Sequence, residues 1–235
     1  DKDWTLYNIE KDFSQANDIS DENPEKLAEL QALFEEEAAK YSVFPLDDRF
    51  IERANDPEQP SLAKGQTRFE YKSGTSRIPE GASPPVYLRS HQMTAEITVP
   101  VGGATSVIIA SGGSSAGYTL YLDDGLPVYE YNFFGLKRYR LAGTERLPEG
   151  THTIVFEYQQ QPLKDKRIVG GAATLSVNGV DVARGDIDKV VPGAFSTTET
   201  MDIGSDLGAT VSLAYEESAP FASTGSIESV VVTVE

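Results

Sequence analysis

The chain has 235 residues, and its 37 acidic against 20 basic side chains give a formal net charge of −17 at pH 7. Apolar residues make up 39% and charged residues 24%, a composition typical of a folded globular protein. The acidic balance argues against nucleic acid as a partner, because phosphate binding needs a basic surface. No run approaches ~18 consecutive apolar residues, so we expect no membrane-spanning helix.

Candidate catalytic and metal-binding residues are few. Cysteine is absent, which removes disulfides, thiolate ligands and cysteine nucleophiles together. The two histidines, His91 and His152, cannot form a three-histidine zinc site. The acidic pairs Asp123-Asp124 and Asp186-Ile187-Asp188 are available to calcium, but turn formation explains them more simply. We therefore predict no catalytic residue and no metal ligand in this chain.

The first predicted elements, within residues 1–41, are a short strand and an amphipathic helix. Trp4, Leu6, Tyr7 and Ile9 indicate the strand. Asn23-Pro24 then predicts a helix start, with an N-cap residue followed by Pro at the first helical position. The helix carries one apolar stripe at 3-4-4-3 spacing: Leu27, Leu30, Phe34, Ala38 and Tyr41.

Residues 42–66 are predicted to form an ordered linker. Pro45, Pro57 and Pro60 interrupt any regular pattern there. Apolar residues nevertheless recur and would anchor the segment to a surface: Phe44, Leu46, Phe50 and Ile51.

Residues 67–235 are predicted to form a β-sandwich. Met93, Ala95, Ile97 and Val99 alternate with polar residues, and Asp124-Gly125 and Asn178-Gly179 mark two-residue hairpin turns. Strands are predicted around 93–99, 107–110, 118–122, 128–133, 136–141, 152–158, 173–177, 180–184, 210–215 and 226–234. The fold class is therefore mainly β, a jelly-roll (concanavalin-like) antiparallel β-sandwich preceded by a short strand and one helix. The hairpin of residues 117–134 resembles the central hairpin of concanavalin- or laminin-G-like sandwiches.

Several motifs resemble the C-terminal region of bacterial arylsulfatases, which belong to the sulfatase family. They are DWTLYNI at 3–9, QAND at 15–18, NPEKLAEL at 23–30, PLDDRF at 45–50, RIPEG at 77–81, RSH at 89–91 and YNFFGL at 131–136. The resemblance implies a non-catalytic part that packs on a catalytic domain through Trp4, Tyr7, Leu27, Leu30 and Phe34. It also implies a periplasmic or secreted location.

The catalytic end of that family has no counterpart here. Sulfatases use a formylglycine made from the first residue of Cys/Ser-x-Pro-x-Arg, together with a divalent cation such as calcium. The nearest string, SPPVY at 83–87, has Tyr87 where Arg is required. The resemblance therefore implies that the formylglycine and the cation belong to the parent enzyme and not to this chain.

The sequence is compatible with three functions. The first is a non-catalytic domain that frames the substrate cleft of a sulfatase. The second is a carbohydrate-binding module, with Arg89, His91, Tyr131 and Asn132 as candidate contacts among a sequence cluster of tyrosines (Tyr118, Tyr121, Tyr129 and Tyr139), although core packing explains most of these tyrosines more simply. The third is an assembly module, which would make the chain a homo-oligomer.

Overall fold

A computed structural model describes residues 4–49, 61–162 and 169–235. The chain divides into two compact units, Asp1–Gln59 and Pro60–Glu235. The division into residues 1–41, 42–66 and 67–235 stays a prediction, and residues 50–60 of the predicted linker, with Phe50 and Ile51, lie outside the described residues. Within the described ranges, no helix is long and apolar enough to cross a membrane.

The first unit contains helix α1, Pro24–Lys40, which begins where the sequence predicts it. Asn23 occupies the N-cap position, but its side chain donates to the Ile19 carbonyl and does not cap the helix. The predicted strand at residues 4–9 is wrong. The Leu6 amide donates to the Asp18 carboxylate at 2.9 Å, and the Leu6 carbonyl accepts from the Ile19 amide at 2.9 Å. These local bonds take the place of a strand ladder.

The second unit is an antiparallel β-sandwich of jelly-roll type, with two six-stranded sheets among the residues described. Sheet A has the order β1-β12-β3-β8-β9-β10, and sheet B has the order β2-β11-β4-β5-β6-β7. The strands are β1 Arg68–Tyr71, β2 Ile78–Pro79, β3 His91–Val99, β4 Ser106–Gly112, β5 Gly117–Asp123, β6 Leu126–Phe133, β7 Lys137–Ala142, β8 Gly150–Gln160, β9 Gly171–Val177, β10 Val180–Ile187, β11 Thr200–Ile203 and β12 Ser226–Val234.

The predicted fold class is confirmed for the sandwich and for the helix. Both predicted hairpin turns form, and their central residues have positive φ as such turns require: 49° and 82° at Asp124 and Gly125, 51° and 81° at Asn178 and Gly179. Strands β1, β2 and β11 were not predicted. They have four, two and four residues, too few to show a clear period in the sequence.

The main core fills the space between the two sheets. Tyr129 of β6 stacks on Phe156 of β8 across the two sheets, with ring centroids 3.4 Å apart. Both side chains are almost completely buried. The outward face of sheet A is different, because its side chains alternate with the buried ones and are half-buried or exposed on β3, β8 and β12. Sheet A therefore presents a polar outer surface to solvent.

The central strands β4, β5 and β6 of sheet B have no such open face, because residues 204–224 fold over them. Strand β7 keeps Lys137 and Arg140 exposed. Val211 and Tyr215 of this covering loop pack against Val107, Tyr121 and Val128 to form a second, outer core. The loop closes at its base, where the Ser223 amide donates to the Gly204 carbonyl at 2.9 Å. The predicted strand at 210–215 is thus wrong, since this stretch runs into a 3-10 helix at Leu213–Ser218.

Asp206 is the buried carboxylate of the covering loop. One of its oxygens accepts from the Val211 amide at 2.8 Å and from the Tyr215 hydroxyl at 2.7 Å. Burial nevertheless dominates and raises the pKa of Asp206 to about 6, with a smaller contribution from the charges of Asp202 and Glu199.

Candidate functional site

Three central strands of sheet A meet at one end of the sandwich, where β3 begins and β8 and β12 end. Two adjoining grooves open there, and Glu235 lines both of them. We call the two together the end groove. The larger part has a volume of about 400 Å³ and the smaller about 260 Å³. The polar lining residues are Arg89, Ser90, His91, Gln92, Glu157, Gln159, Gln160, Gln161, Thr233 and Glu235.

The smaller part of the end groove is a cross-strand row. Gln92 of β3 pairs with Thr233 of β12 on one side and with Glu157 of β8 on the other. Cross-strand partners lie about 5 Å apart at their Cβ atoms, so an amide, a hydroxyl and a carboxylate stand side by side. The Gln159 amide donates to the Glu157 carboxylate at 2.7 Å and adds a second amide to the row.

Arg89 lies at the rim of the larger part, and the backbone around it is firmly held. Leu88, the residue before it, has a φ of 51°, which is uncommon for a bulky side chain. The Ser90 carbonyl accepts from the Glu235 amide at 3.0 Å, and the Ser90 hydroxyl accepts from the Gln160 amide at 3.1 Å. Arg89 itself is exposed and forms no ion pair with the residues described. Its guanidinium is therefore available to a ligand.

The buried side chain of His91 stabilises this segment through a hydrogen bond. Its Nδ1 lies 3.0 Å from the Arg89 carbonyl, so Nδ1 carries the proton and donates. Nε2 is then an acceptor, and it has no partner among the described residues. The side chain is only 7% exposed, and burial lowers its pKa to about 4. A cavity of about 10 Å³ beside the ring has room for one water molecule that could donate to Nε2.

Tyr131 and Asn132 lie at the same end of the sandwich but do not reach the end groove. Tyr131 is 6% exposed and lines the small cavity with His91, and its hydroxyl accepts from the Val191 amide at 2.8 Å. Asn132 is fully buried, like most of the tyrosine cluster. Arg89, His91 and Tyr131 are thus brought together around one region, with only Arg89 presented to solvent.

Asn132 instead fixes the turn between β6 and β7. Its side-chain nitrogen donates to the carbonyls of Gly113 and Ser114 at 2.9 and 3.0 Å. Its side-chain oxygen accepts from the Gly135 amide at 2.8 Å. The four residues Phe133, Phe134, Gly135 and Leu136 are called the apolar turn below. Phe134 is 46% exposed and Leu136 82% exposed.

The residues that sequence reasoning missed are the glutamines of the end groove and the apolar turn. A signal for the first was available, since Gln159-Gln160-Gln161 places three amides in a row at the end of a predicted strand. Gln160 proves to be partly structural, because its nitrogen donates to the Val169 carbonyl at 2.7 Å. The apolar turn appeared only as part of a motif, since exposure of Phe134 cannot be read from the sequence.

The predicted docking residues lie in the first unit. Trp4 contacts Phe34 edge to face, with centroids 5.3 Å apart, and is 49% exposed. Leu30 is 39% exposed, whereas Tyr7 and Leu27 are half-buried. The structure thus brings Trp4 and Phe34 together and leaves much apolar surface open on this unit. The partner of that surface stays a prediction.

The residues present do not fit a formylglycine site or its cation. Ser83 is 4% exposed, and its hydroxyl donates to the Glu80 carbonyl at 2.8 Å. Tyr87, at the position where sulfatases need Arg, packs against Phe195 at a centroid distance of 4.7 Å. Across residues 4–49, 61–162 and 169–235, no three His, Asp or Glu side chains cluster as metal ligands would.

Comparisons with known proteins give similar folds but no family. No protein-family model matches the chain, and no curated protein matches it. Among solved structures, Ruminococcus gnavus IT-sialidase CBM40 is similar, with 16% identity, a TM-score of 0.45, and coverage of 74% of this chain and 92% of that one. Mouse laminin alpha1 domains LG4-5 have 15% identity, a TM-score of 0.40, and coverage of 74% and 40%.

A third similar structure is the heptameric SAP-like pentraxin from Limulus polyphemus, with 15% identity, a TM-score of 0.41, and coverage of 74% of this chain and 77% of that one. At these identities and TM-scores the similarity assigns no ligand, and the resemblance to sulfatases rests on the sequence motifs alone.

Proposed function

We propose that this sandwich binds a carbohydrate in the end groove. The observation that carries the proposal is a row of polar side chains across three strands: Gln92 of β3, Glu157 and Gln159 of β8, and Thr233 of β12. Arg89 lies at the rim. Neighbouring sugar hydroxyls are both donors and acceptors, so amides and carboxylates can each make paired hydrogen bonds to them. A concave surface with a few convergent polar groups is the usual form of a small-molecule site.

The backbone supports such a role, because side chains on paired strands keep their spacing when a ligand binds. Gln92 and Glu157 sit in a continuous ladder from His91 opposite Tyr158 to Val99 opposite Gly150. Gln159 and Gln160 lie beyond that ladder and pair with Ala172 and Gly171 of β9. Leu88 and Pro162 add apolar surface at one border of the groove. The arrangement suits a short stretch of an oligosaccharide that lies across the strand ends.

Isothermal titration with cellohexaose, xylohexaose and oligogalacturonate tests this proposal. We expect one of these to bind, and Gln92→Ala to weaken it about five- to tenfold, the effect of one neutral hydrogen bond. Glu96→Ala is the matched control, because Glu96 lies on the same strand and the same outward face four residues further along. Equal losses from both variants, or no binding of any saccharide by the wild type, would contradict the proposal.

A second proposal concerns the first unit, which we infer to be a docking segment for a larger partner such as a sulfatase catalytic domain. The observation that favours it is the exposed apolar surface of Trp4, Leu30, Leu33 and Phe44, at 39–50% exposure. Trp4 is the single tryptophan of the chain, so its emission reports on this surface alone.

After subtraction of the partner's own emission, addition of a separately expressed bacterial arylsulfatase catalytic domain should move the Trp4 emission to shorter wavelength, and Leu33→Asp should abolish the shift. An unchanged spectrum at saturating partner would reject the docking proposal. Sedimentation of the full chain and of a chain without residues 1–41 tests the homo-oligomer prediction in the same preparations.

A further inference from the structure

The apolar turn contains a residue, Phe134, that is unfavourable for its backbone conformation. Its two central residues, Phe134 and Gly135, have φ of 52° and 66°, and the Leu136 amide donates to the Phe133 carbonyl at 2.9 Å. Two-residue turns with two positive φ values favour Asn-Gly, because Asn and Gly tolerate the left-handed region. A phenylalanine at the first position is therefore strained.

Burial of the Phe134 side chain offsets little of that strain energy, because the side chain is only partly buried. Phe133 points inward and packs against the main core, whereas the Phe134 ring remains 46% exposed. A single exposed apolar residue is ordinary in proteins. An exposed aromatic ring in a left-handed conformation is different, because neither local propensity nor burial selects it. Such local conflicts cluster where a residue serves binding.

The rest of the molecule holds the backbone of this turn. The buried amide of Asn132 donates to the Gly113 and Ser114 carbonyls and accepts from the Gly135 amide. The Phe134 ring packs edge to face on Phe133, with centroids 4.9 Å apart. Rigid aromatic rings are efficient contact surfaces, because little side-chain entropy is lost on binding.

Two ammonium groups flank the apolar turn. Lys137 pairs with Asp188 at 3.0 Å, and the Lys189 ammonium lies 5.9 Å from the centre of the Phe133 ring. Both ammonium groups can donate hydrogen bonds to the hydroxyl or ring oxygens of a sugar. An apolar ring beside such donors matches a pyranose, which has a face of C–H groups and a rim of oxygens.

We infer that the apolar turn is a stacking subsite for one pyranose ring of the carbohydrate that the sandwich binds, with Phe134 as the platform. This inference rests on the proposed function. The turn and the end groove lie at the same end of the sandwich, because Tyr131, two residues before Phe133, lines the same cavity as His91. An oligosaccharide can thus use the amides for its hydroxyls and the ring for one sugar face.

The size of the apolar turn favours a sugar over a protein or a membrane. Phe134 and Leu136 alone are far smaller than the roughly 800 Å² per partner of a stable protein interface. A single pyranose ring, by contrast, is about the size of one phenyl ring. The net charge of −17 also opposes approach to an anionic lipid surface.

Phe134→Asn separates binding from folding, because it creates the favoured Asn-Gly turn while it removes the ring. We expect the melting temperature to stay the same or rise, and the affinity for whichever of cellohexaose, xylohexaose and oligogalacturonate binds the wild type to fall about tenfold. Phe134→Trp should keep the affinity. Val101→Ser is the control, since Val101 is 81% exposed in the loop after β3, at the opposite end.

Saturation-transfer NMR supplies a second readout. With the wild type, transfer should be strongest to the protons on one face of a single pyranose, and Phe134→Asn should remove that pattern. If the wild type binds a saccharide and Phe134→Asn binds it equally well, the stacking subsite is wrong and the end-groove proposal stands. If no saccharide binds, both fail. Binding to phosphatidylcholine–phosphatidylglycerol vesicles that only Phe134→Asn loses would assign the turn to membranes and overturn the inference.

Discussion

Replacement of His91 by Phe should make the sandwich more tolerant of acid. The imidazole is buried against the rings of Phe156 and Tyr158, whose centroids lie 5.9 and 5.3 Å from its own. Burial lowers its pKa from 6.5 to about 4. In the unfolded chain the same group binds a proton near pH 6.5. Between these two values the unfolded state holds more protons, so the stability of the folded state decreases as the pH falls.

The size of the effect follows from the two pKa values. At pH 7.5 both states leave His91 neutral and the linkage contribution is close to zero. At pH 4.5 the unfolded state is almost fully protonated while most folded molecules are not, which lowers the free energy of unfolding by ~2.5 kcal/mol. The variant loses the hydrogen bond to the Arg89 carbonyl, about 1 kcal/mol, but it also removes Nε2, a buried polar atom without a partner among the described residues. We therefore expect near-equal stability of the two proteins at pH 7.5.

Urea unfolding of wild type and His91→Phe at pH 7.5 and pH 4.5 measures this difference. Every other titrating group is shared by the two proteins, so its contribution cancels when the variant is compared with wild type at each pH. We expect the variant to gain ~2–3 kcal/mol over wild type on passing from pH 7.5 to pH 4.5. A gain below about 1 kcal/mol would refute the argument that burial keeps His91 neutral.

Two further predictions concern buried polar groups. Asp206→Asn should raise the free energy of unfolding by about 2 kcal/mol at pH 7.5 and leave it unchanged near pH 4, because the raised pKa makes wild-type stability fall as the pH rises from 4 through 6. The new amide oxygen can still accept from the Val211 amide and the Tyr215 hydroxyl. Thermal or urea unfolding over a series of pH values measures how stability changes with pH. An equal effect of the substitution at pH 4 and pH 7.5 would contradict the prediction. Asn132→Ala should cost about 3 kcal/mol in urea unfolding, since three hydrogen bonds of a buried amide are lost, and a cost under 1 kcal/mol would show that Asn132 does not hold the apolar turn.

The sandwich could be predicted from the sequence where one face of a strand meets the core. Residues 93–99 alternate cleanly for that reason, and the Asp-Gly and Asn-Gly turns fix their hairpins by backbone conformation alone. The strand predicted at 4–9 failed because an apolar alternation does not supply a partner. Its backbone groups were taken by Asp18 and Ile19 in a nearby loop.

The tyrosine cluster shows a different limit of prediction from sequence. Tyr121 points to the outer side of sheet B, where a sandwich normally meets solvent, yet it is fully buried under the covering loop. The alternation around 210–215 is equally compatible with a strand and with a loop that buries Val211 and Tyr215. A pattern of period two records which side chains are buried and says nothing about what covers them.

The site was predicted only in part, because binding depends on exposure and on contacts between distant segments. Arg89 and His91 were predicted as candidate contacts, but the sequence does not show that one faces solvent and the other is enclosed. Gln92 and Thr233 are 141 positions apart and become neighbours only through the pairing of β3 with β12. Asn132, predicted as a candidate contact, is buried, and its side chain bonds to the backbone of Gly113, Ser114 and Gly135.

The covering loop has a consequence for amide hydrogen exchange. Since β5 is shielded on both sides, its amide protons can reach solvent only when the loop lifts and the two sheets part, which is close to global unfolding. Their exchange rates should therefore report the full stability of the unit, while the amides of the end loops exchange through small local openings. Slowed exchange on addition of a saccharide would stand out at residues 88–92 and 133–136 against this static interior.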